Sequence, residues 1–295
     1  MPEKPENQAH SFFAEQRDER SEHKPTLTIQ PRKGWLEFDL AELWHARDLF
    51  YFLVRRDIIL RYKQTVLGAG WAILQPLATM MLFTIIFGFL GGLPADGLPY
   101  PLFFYSGLVL WTFFANAGTM AANSLIVSPD LITKIYFPRL LLPAAPVVAS
   151  LLDLGIASSL LVLLMAYYGV YPSANIWALP IFVGLATLAA TGVGILLCAL
   201  NVKYRDFRYI IAFFFQFWMF ASPVLYSTSL FPEKWRLFFA LNPMVGAIDG
   251  FRWALFGTST DPWPLVAVGT SCSVAIFLLG TIYFQRTEEF FADLI

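Results

Sequence analysis

The chain has 295 residues, of which 57% are hydrophobic, 17% aromatic and only 14% charged. Soluble domains carry about 25% charged residues, so this balance excludes a protein whose main solvent is water. A formal net charge of -1 gives no reason to invoke nucleic acid or a strongly acidic partner.

Charge is concentrated at the start: eleven of the 21 acidic residues and eleven of the 20 Lys and Arg precede residue 66. Residues 1–34 are polar, with interleaved charges and no apolar run, so no cleavable signal peptide is expected there. They read as a disordered cytoplasmic tail, with too little apolar surface to offset the entropy of ordering.

The segment 35–66 is amphipathic. Leu43, Ala46, Phe50, Leu53 and Val54 form an apolar arc at helical spacing, with Arg47, Arg55 and Arg56 away from it. This suits a helix lying in the membrane interface. Leu49 and Phe52 fall outside the arc, and a helix packed against neighbouring spans has a similar pattern. The bases Arg55, Arg56, Arg61 and Lys63 suit an anionic head group or diphosphate at the inner leaflet, or serve only as positive anchors.

From residue 67 to 285, six stretches are long and apolar enough to cross a bilayer core of about 30 Å. They are Leu67 to Gly91, Leu102 to Asn123, Leu140 to Tyr168, Ile176 to Leu200, Phe207 to Tyr226 and Trp263 to Phe284. Residues 286–295 form a short cytoplasmic end. The segments between spans divide into two sets, one holding eleven Lys and Arg and the other only Lys234, Arg236 and Arg252. Positive charge stays on the cytoplasmic side during insertion, so both termini are expected there.

The outer segment Ser227 to Asp261 is apolar yet broken by Pro232, Pro243, Gly246, Gly250 and Gly257. Two short re-entrant helices fit it, held at the outer interface or only partly inserted by Lys234, Arg236 and Arg252. A single distorted seventh span is the alternative, and it would leave the C-terminus outside.

Several side chains are candidates for chemistry. Asp153 is an acidic residue inside a spanning run, where an ionisable group costs several kcal/mol unless paired or wetted. No Lys, Arg, His or second carboxylate lies well inside another span, so hydroxyls, amides or cavity water are its expected partners rather than a proton relay. Tyr105, Trp111 and Trp218 combine a face that can stack on sugar rings with a polar atom. The loop Ser124 to Arg139 contains Pro129, Asp130, Leu131, Thr133, Lys134 and Tyr136, and Ser128 or Asp130 suits the cap of a short docking helix.

Other chemistry is unsupported. There is no GxxxxGK[ST] phosphate loop and no zinc motif. Cys198 and Cys272 sit in apolar runs and do not make a redox pair or a disulfide framework. No metal or cofactor is expected in this chain, and it is not expected to be an enzyme.

The segments RDIILRYKQTVLGAGWAILQPL (56–77), SPDLITKIYFPRLLLP (128–143), NVKYRDFRYI (201–210) and ALNPMVGAIDGFRWALFG (240–257) resemble the permeases of type-2 ABC exporters. The resemblance is to the branch that exports O-antigen, capsule or teichoic-acid polysaccharide, and it extends from about Leu43 to Gln285. It implies a second copy of the chain, two copies of a separate ATPase subunit that binds ATP and Mg, and a glycan carried on polyprenyl diphosphate among membrane lipids. It also implies that 43–63 is an interfacial helix beside a head-group entrance, where Arg56, Arg61 and Lys63 match the family's basic stretch. Residues 129–137 then correspond to the coupling helix, and 232–256 to outer gating helices. Two alternatives stay open: a type-2 exporter of a small molecule or lipid, and a proton-coupled transporter using Asp153 or a membrane enzyme acting on a lipid-linked sugar.

Overall fold

The structure is a computed structural model. It describes residues 44–63, 70–129, 131, 137–204, 206–258, 261–288 and 291. The expected tail 1–34, Leu43, and Asp130, Thr133, Lys134 and Tyr136 of the docking loop lie outside the described residues. Those described form nine α-helices and no strand.

Helix α1 (Arg47–Tyr62) buries Leu53 in a cluster that also holds Leu141, Leu142, Ala145 and Phe284. Ala46, Phe50 and Val54 join that cluster, and so does Leu49, which the apolar arc had left out. Tyr51, Phe52, Ile59 and Leu60 remain exposed. The helix is therefore apolar on two sides, one against protein and one open.

Helix α2 (Trp71–Phe83) runs on as π-helical turns over Thr84–Leu90. Its outward residues Met81, Leu82, Ile85, Phe89 and Leu90 are exposed. At the centre stands α3 (Tyr100–Val127), enclosed along most of its length. Around it lie α4 (Leu141–Tyr168) and α5 (Leu179–Lys203), the latter preceded by a 3-10 turn at Ala174–Ala178. Helix α9 (Trp263–Glu288) packs along α5.

Small residues set that last approach. A Cβ at Gly192 would lie 2.8 Å from the Phe277 nitrogen, and one at Gly280 would lie 2.8 Å from the Gly192 carbonyl. With lipid on the outside there is little hydrophobic drive between helices, so close backbone packing of this kind carries the association. Gly192→Leu forces the backbones apart, and a loss of about 1–3 kcal/mol or more is expected. Thermal denaturation of the detergent-purified chain measures it; a melting curve like that of the parent chain would show that the contact is unimportant. Arg139, two residues ahead of α4, ties that segment to the end of α9, its Nη1 donating to the Glu288 carbonyl at 2.6 Å.

Among the described residues, five helical stretches are long and apolar enough to cross a membrane: Ile73–Leu90, Tyr100–Val127, Leu141–Tyr168, Ala174–Lys203 and Trp263–Thr287. The expected span from Phe207 to Tyr226 differs. Its helix, α6 (Phe207–Phe220), has 14 residues, about 21 Å at 1.5 Å each. It stops because Pro223 disfavours helical backbone at the residue before it and cannot donate to the helix. The freed Ala221 carbonyl is taken by Asn242 Nδ2 at 3.1 Å, and those of Pro223 and Val224 by Arg252.

The broken outer segment forms two short helices, α7 (Glu233–Phe239) and α8 (Pro243–Phe256). Asn242 caps the second, its side-chain oxygen accepting from the Met244 nitrogen at 3.0 Å. Gly257 ends it with φ of 66°, a left-handed conformation that glycine adopts without a Cβ penalty. Helix α8 is largely buried: a Cβ at Gly250 would lie 2.1 Å from the Phe182 ring, and one at Gly246 would lie 2.7 Å from the Leu265 carbonyl.

Candidate functional site: a polar cavity and a buried arginine

The end of α1 meets Asp153 halfway along α4. Arg61 and Asp153 form an ion pair, and the Tyr62 hydroxyl donates to the same carboxylate. Arg61 Nη2 also donates to Ser150 Oγ at 3.3 Å and contacts Met120 Sδ at 2.7 Å, while its Nε is buried without a hydrogen-bond partner. Burial lowers the guanidinium pKa below its usual range, with Tyr62 and Asp57 acting the other way. A hydroxyl was among the partners expected for Asp153. The cation was not, because it comes from the helix ahead of the first span.

These groups open onto a cavity of about 200 Å³ lined also by Trp71, Gln75, Thr112 and Asn116. Helix α1 supplies the cation, α2 the indole and one amide, α3 a hydroxyl and an amide four residues apart, and α4 the carboxylate. Thr112 and Asn116 lie on one face of α3 because residues four apart in a helix align. That spacing of polar residues within an apolar run was visible in the sequence, and it is the signal by which this wall of the cavity could have been found.

The other predicted bases stand differently from one another. Arg56 Nη2 lies 2.8 Å from Asp57 Oδ1, and Asp57 is buried. Lys63 is exposed at the end of α1. Among the described residues the guanidinium groups of Arg56 and Arg61 at this end of α1 are thus neutralised, while Arg55 and Lys63 are exposed and form no ion pair.

Tyr105 is fully enclosed, and its hydroxyl donates to the Ala157 carbonyl at 2.9 Å. Trp111 is also buried, with its ring edge-on to Trp218 at 6.4 Å between centroids. Trp218 itself is partly buried beside Phe114 and Phe215. A row of exposed aromatics lies instead along α6, where Tyr209, Phe213, Phe217 and Phe220 follow one another at helical spacing. In the docking loop, Pro129 and Leu131 are described, and Leu131 packs against the cluster that holds Leu53.

Arg252 departs most from its expected place at an outer interface. It is 2% exposed. Its Nη1 donates to the Pro223 carbonyl at 2.6 Å, its Nη2 to the Phe103 and Val224 carbonyls at 3.1 Å each, and its Nε to Ser106 Oγ at 3.3 Å. The guanidinium also lies 3.7 Å from the centre of the Phe103 ring. A planar fork with five donors suits several converging carbonyls, and here it pins α8 to α3 and to the turn after α6. Gly107 makes room for it, since a Cβ there would lie 2.6 Å from Nη2. Nearby, the Thr228 hydroxyl donates to Asp249, while Ser227 and Ser229 donate to Asp96 at 2.5 and 2.9 Å.

Apolar helices long enough to span a bilayer, with a polar cavity opening among them, mark an integral membrane protein. The chain belongs to the ABC-2 type transporter family, which residues 48–256 match. It is 30% identical over 256 residues to the O-antigen export system permease protein RfbA of Myxococcus xanthus, covering 85% of this chain and 97% of that one. Against the protein of the same name from Klebsiella pneumoniae the identity is 25%, over 88% of this chain and 98% of the relative. The capsule polysaccharide export inner-membrane protein CtrC of Neisseria meningitidis is 22% identical, over 80% and 90%.

Proposed function

We propose that this chain is the membrane-spanning permease subunit of an ATP-driven exporter of cell-surface polysaccharide, of the O-antigen or capsule kind, in the cytoplasmic membrane. The observation that carries this reading is similarity across nearly the whole length of relatives named for such export. The chain supplies the path and a separate ATPase subunit supplies the energy. Two permease copies and two ATPase copies enclose a route for a glycan carried on a polyprenyl diphosphate.

In this reading α6, with the turn that follows it, makes the fifth of six crossings, and both termini face the cytoplasm. Helices α7 and α8 form a re-entrant pair. A Cβ at Gly269 would lie 3.3 Å from the Pro243 carbonyl, and Gly269 is six residues into α9, about 9 Å of helix. Helix α8 therefore begins inside the bundle and runs outward to Gly257. Backbone of this kind is tolerated at depth when protein covers it.

At the inner boundary, Lys63 is a free cation that attracts the diphosphate, while Arg56 and Arg61 are held by their carboxylates. The open aromatic face of α6, with Trp218 at its edge, is the surface along which sugar rings slide. Residues 129–137 seat the ATPase.

The test is biochemical. Purified alone, the chain is expected to hydrolyse no ATP. Together with its ATPase it is expected to support turnover that falls when residues 129–137 are replaced by a Gly/Ser sequence of equal length. Turnover unchanged by that replacement would remove the proposed coupling segment, and ATP hydrolysis by the chain alone would remove the division of labour.

A further inference from the structure

Gln75, Thr112 and Asn116 carry polar side chains on otherwise apolar helices, and among the described residues none of these three side chains makes a hydrogen bond. Gln75 and Asn116 are exposed. An unpaired amide facing hydrocarbon costs several kcal/mol, so this face meets water, a ligand or another protein surface. The cavity they line also holds the Arg61–Asp153 pair, whose formal charges cancel, and the exposed ring of Trp71.

We propose that this cavity is a subsite for one uncharged sugar ring of the transported polymer. The proposal rests on the polysaccharide-export reading above. Its lining discriminates between the two ends of the cargo. A diphosphate needs a net positive site with several unneutralised donors, whereas the guanidinium here is already matched by a carboxylate. A pyranose presents hydroxyls that both donate and accept, together with an apolar face of C–H groups. The amides of Gln75 and Asn116 and the hydroxyl of Thr112 both donate and accept, Asp153 retains lone pairs, and Trp71 offers the apolar platform. A volume of about 200 Å³ holds a single ring and excludes a diphosphate with its polyprenyl chain.

The cavity also has a place along the route. It lies at the start of α2, which together with its π-helical turns to Leu90 is close to the bilayer core in length, so Trp71 marks one boundary of the membrane. A sugar bound there sits where the chain leaves the aqueous side, while the free charge of Lys63 waits on the preceding helix for the carrier's phosphates.

The experiment uses the full permease and ATPase complex in nanodiscs, with Cys272→Ser as background because Cys198 is buried. Asn116→Cys is labelled with a hydrophilic maleimide, and Gln75→Cys serves as the second position if the first variant assembles poorly. The probes are carrier-free glycan, released by mild acid from the surface of the producing cells, and inorganic pyrophosphate. The glycan is expected to slow labelling about fivefold when present at four times its dissociation constant, and pyrophosphate to leave it unchanged. Protection by pyrophosphate alone, or by neither probe, overturns the subsite. Failure of the export reading has a different signature, surface glycan that persists when the permease gene is deleted; trapped glycan without protection sinks only the subsite.

Discussion

Arg252→Met is expected to leave little folded protein in the membrane. The substitution strands the Pro223 and Val224 carbonyls, which lie in a non-helical turn and take their hydrogen bonds from this guanidinium. Each buried acceptor left unsatisfied costs about 1–3 kcal/mol, and hydrogen bonds to charged groups lie at the upper end. Contact with the Phe103 ring and the Ser106 hydroxyl is lost as well. The sum is comparable with the whole stability of an ordinary domain, about 5–15 kcal/mol. Arg252→Lys keeps the charge but has three donors on one nitrogen, so an intermediate loss is expected. Immunoblots of the membrane fraction and melting curves in detergent report both variants. Wild-type accumulation of Arg252→Met would show that the turn finds other partners.

The second large effect is expected at Asp153. Asp153→Ala leaves the Arg61 guanidinium uncompensated. Removing one partner of a fully buried pair costs about 3–5 kcal/mol. With 18% and 19% of the two side chains exposed, solvent screening reduces this, and about 2–3 kcal/mol is expected. The double change Arg61→Met with Asp153→Leu is expected to recover most of the loss, because it removes both charges together. Melting temperatures of the three variants form the test; a double variant as unstable as Asp153→Ala would show that the pair is not what matters. The same position separates export driven by ATP from a proton-coupled mechanism. Asp153→Asn abolishing transport while ATP turnover by the assembled complex persisted normally would favour the proton-coupled case, whereas a stability defect shared by both activities is expected.

How much was legible in the sequence differs from element to element. The long spans were, because twenty apolar residues carry their own signal: the second, third, fourth and sixth stretches match α3, α4, α5 and α9 to within a few residues at most ends. The stretch from Phe207 looked equally apolar, but hydropathy does not register that Pro223 ends the helix or that Asn242 and Arg252 take the carbonyls it frees. The two short helices before α9 followed from Pro243 and Gly257, which act locally. Side-chain partners across the fold were not legible. Tyr62 and Asp153 are 91 positions apart, and nothing in either segment announces the other. Arg252 read as an interfacial charge because burial of a cation depends on carbonyls contributed by two distant turns. Tyr105 and Trp111 read as stacking surfaces because residue type shows a capacity to stack, not which way a helix is rotated.

Deleting the gene and following the lipid-linked glycan tests the central claim most directly. In the deletion strain the glycan is expected to accumulate on the cytoplasmic face of the inner membrane and to vanish from the cell surface, with both reversed when the gene is restored. Glycan reaching the surface at its usual level in that strain would contradict the assignment.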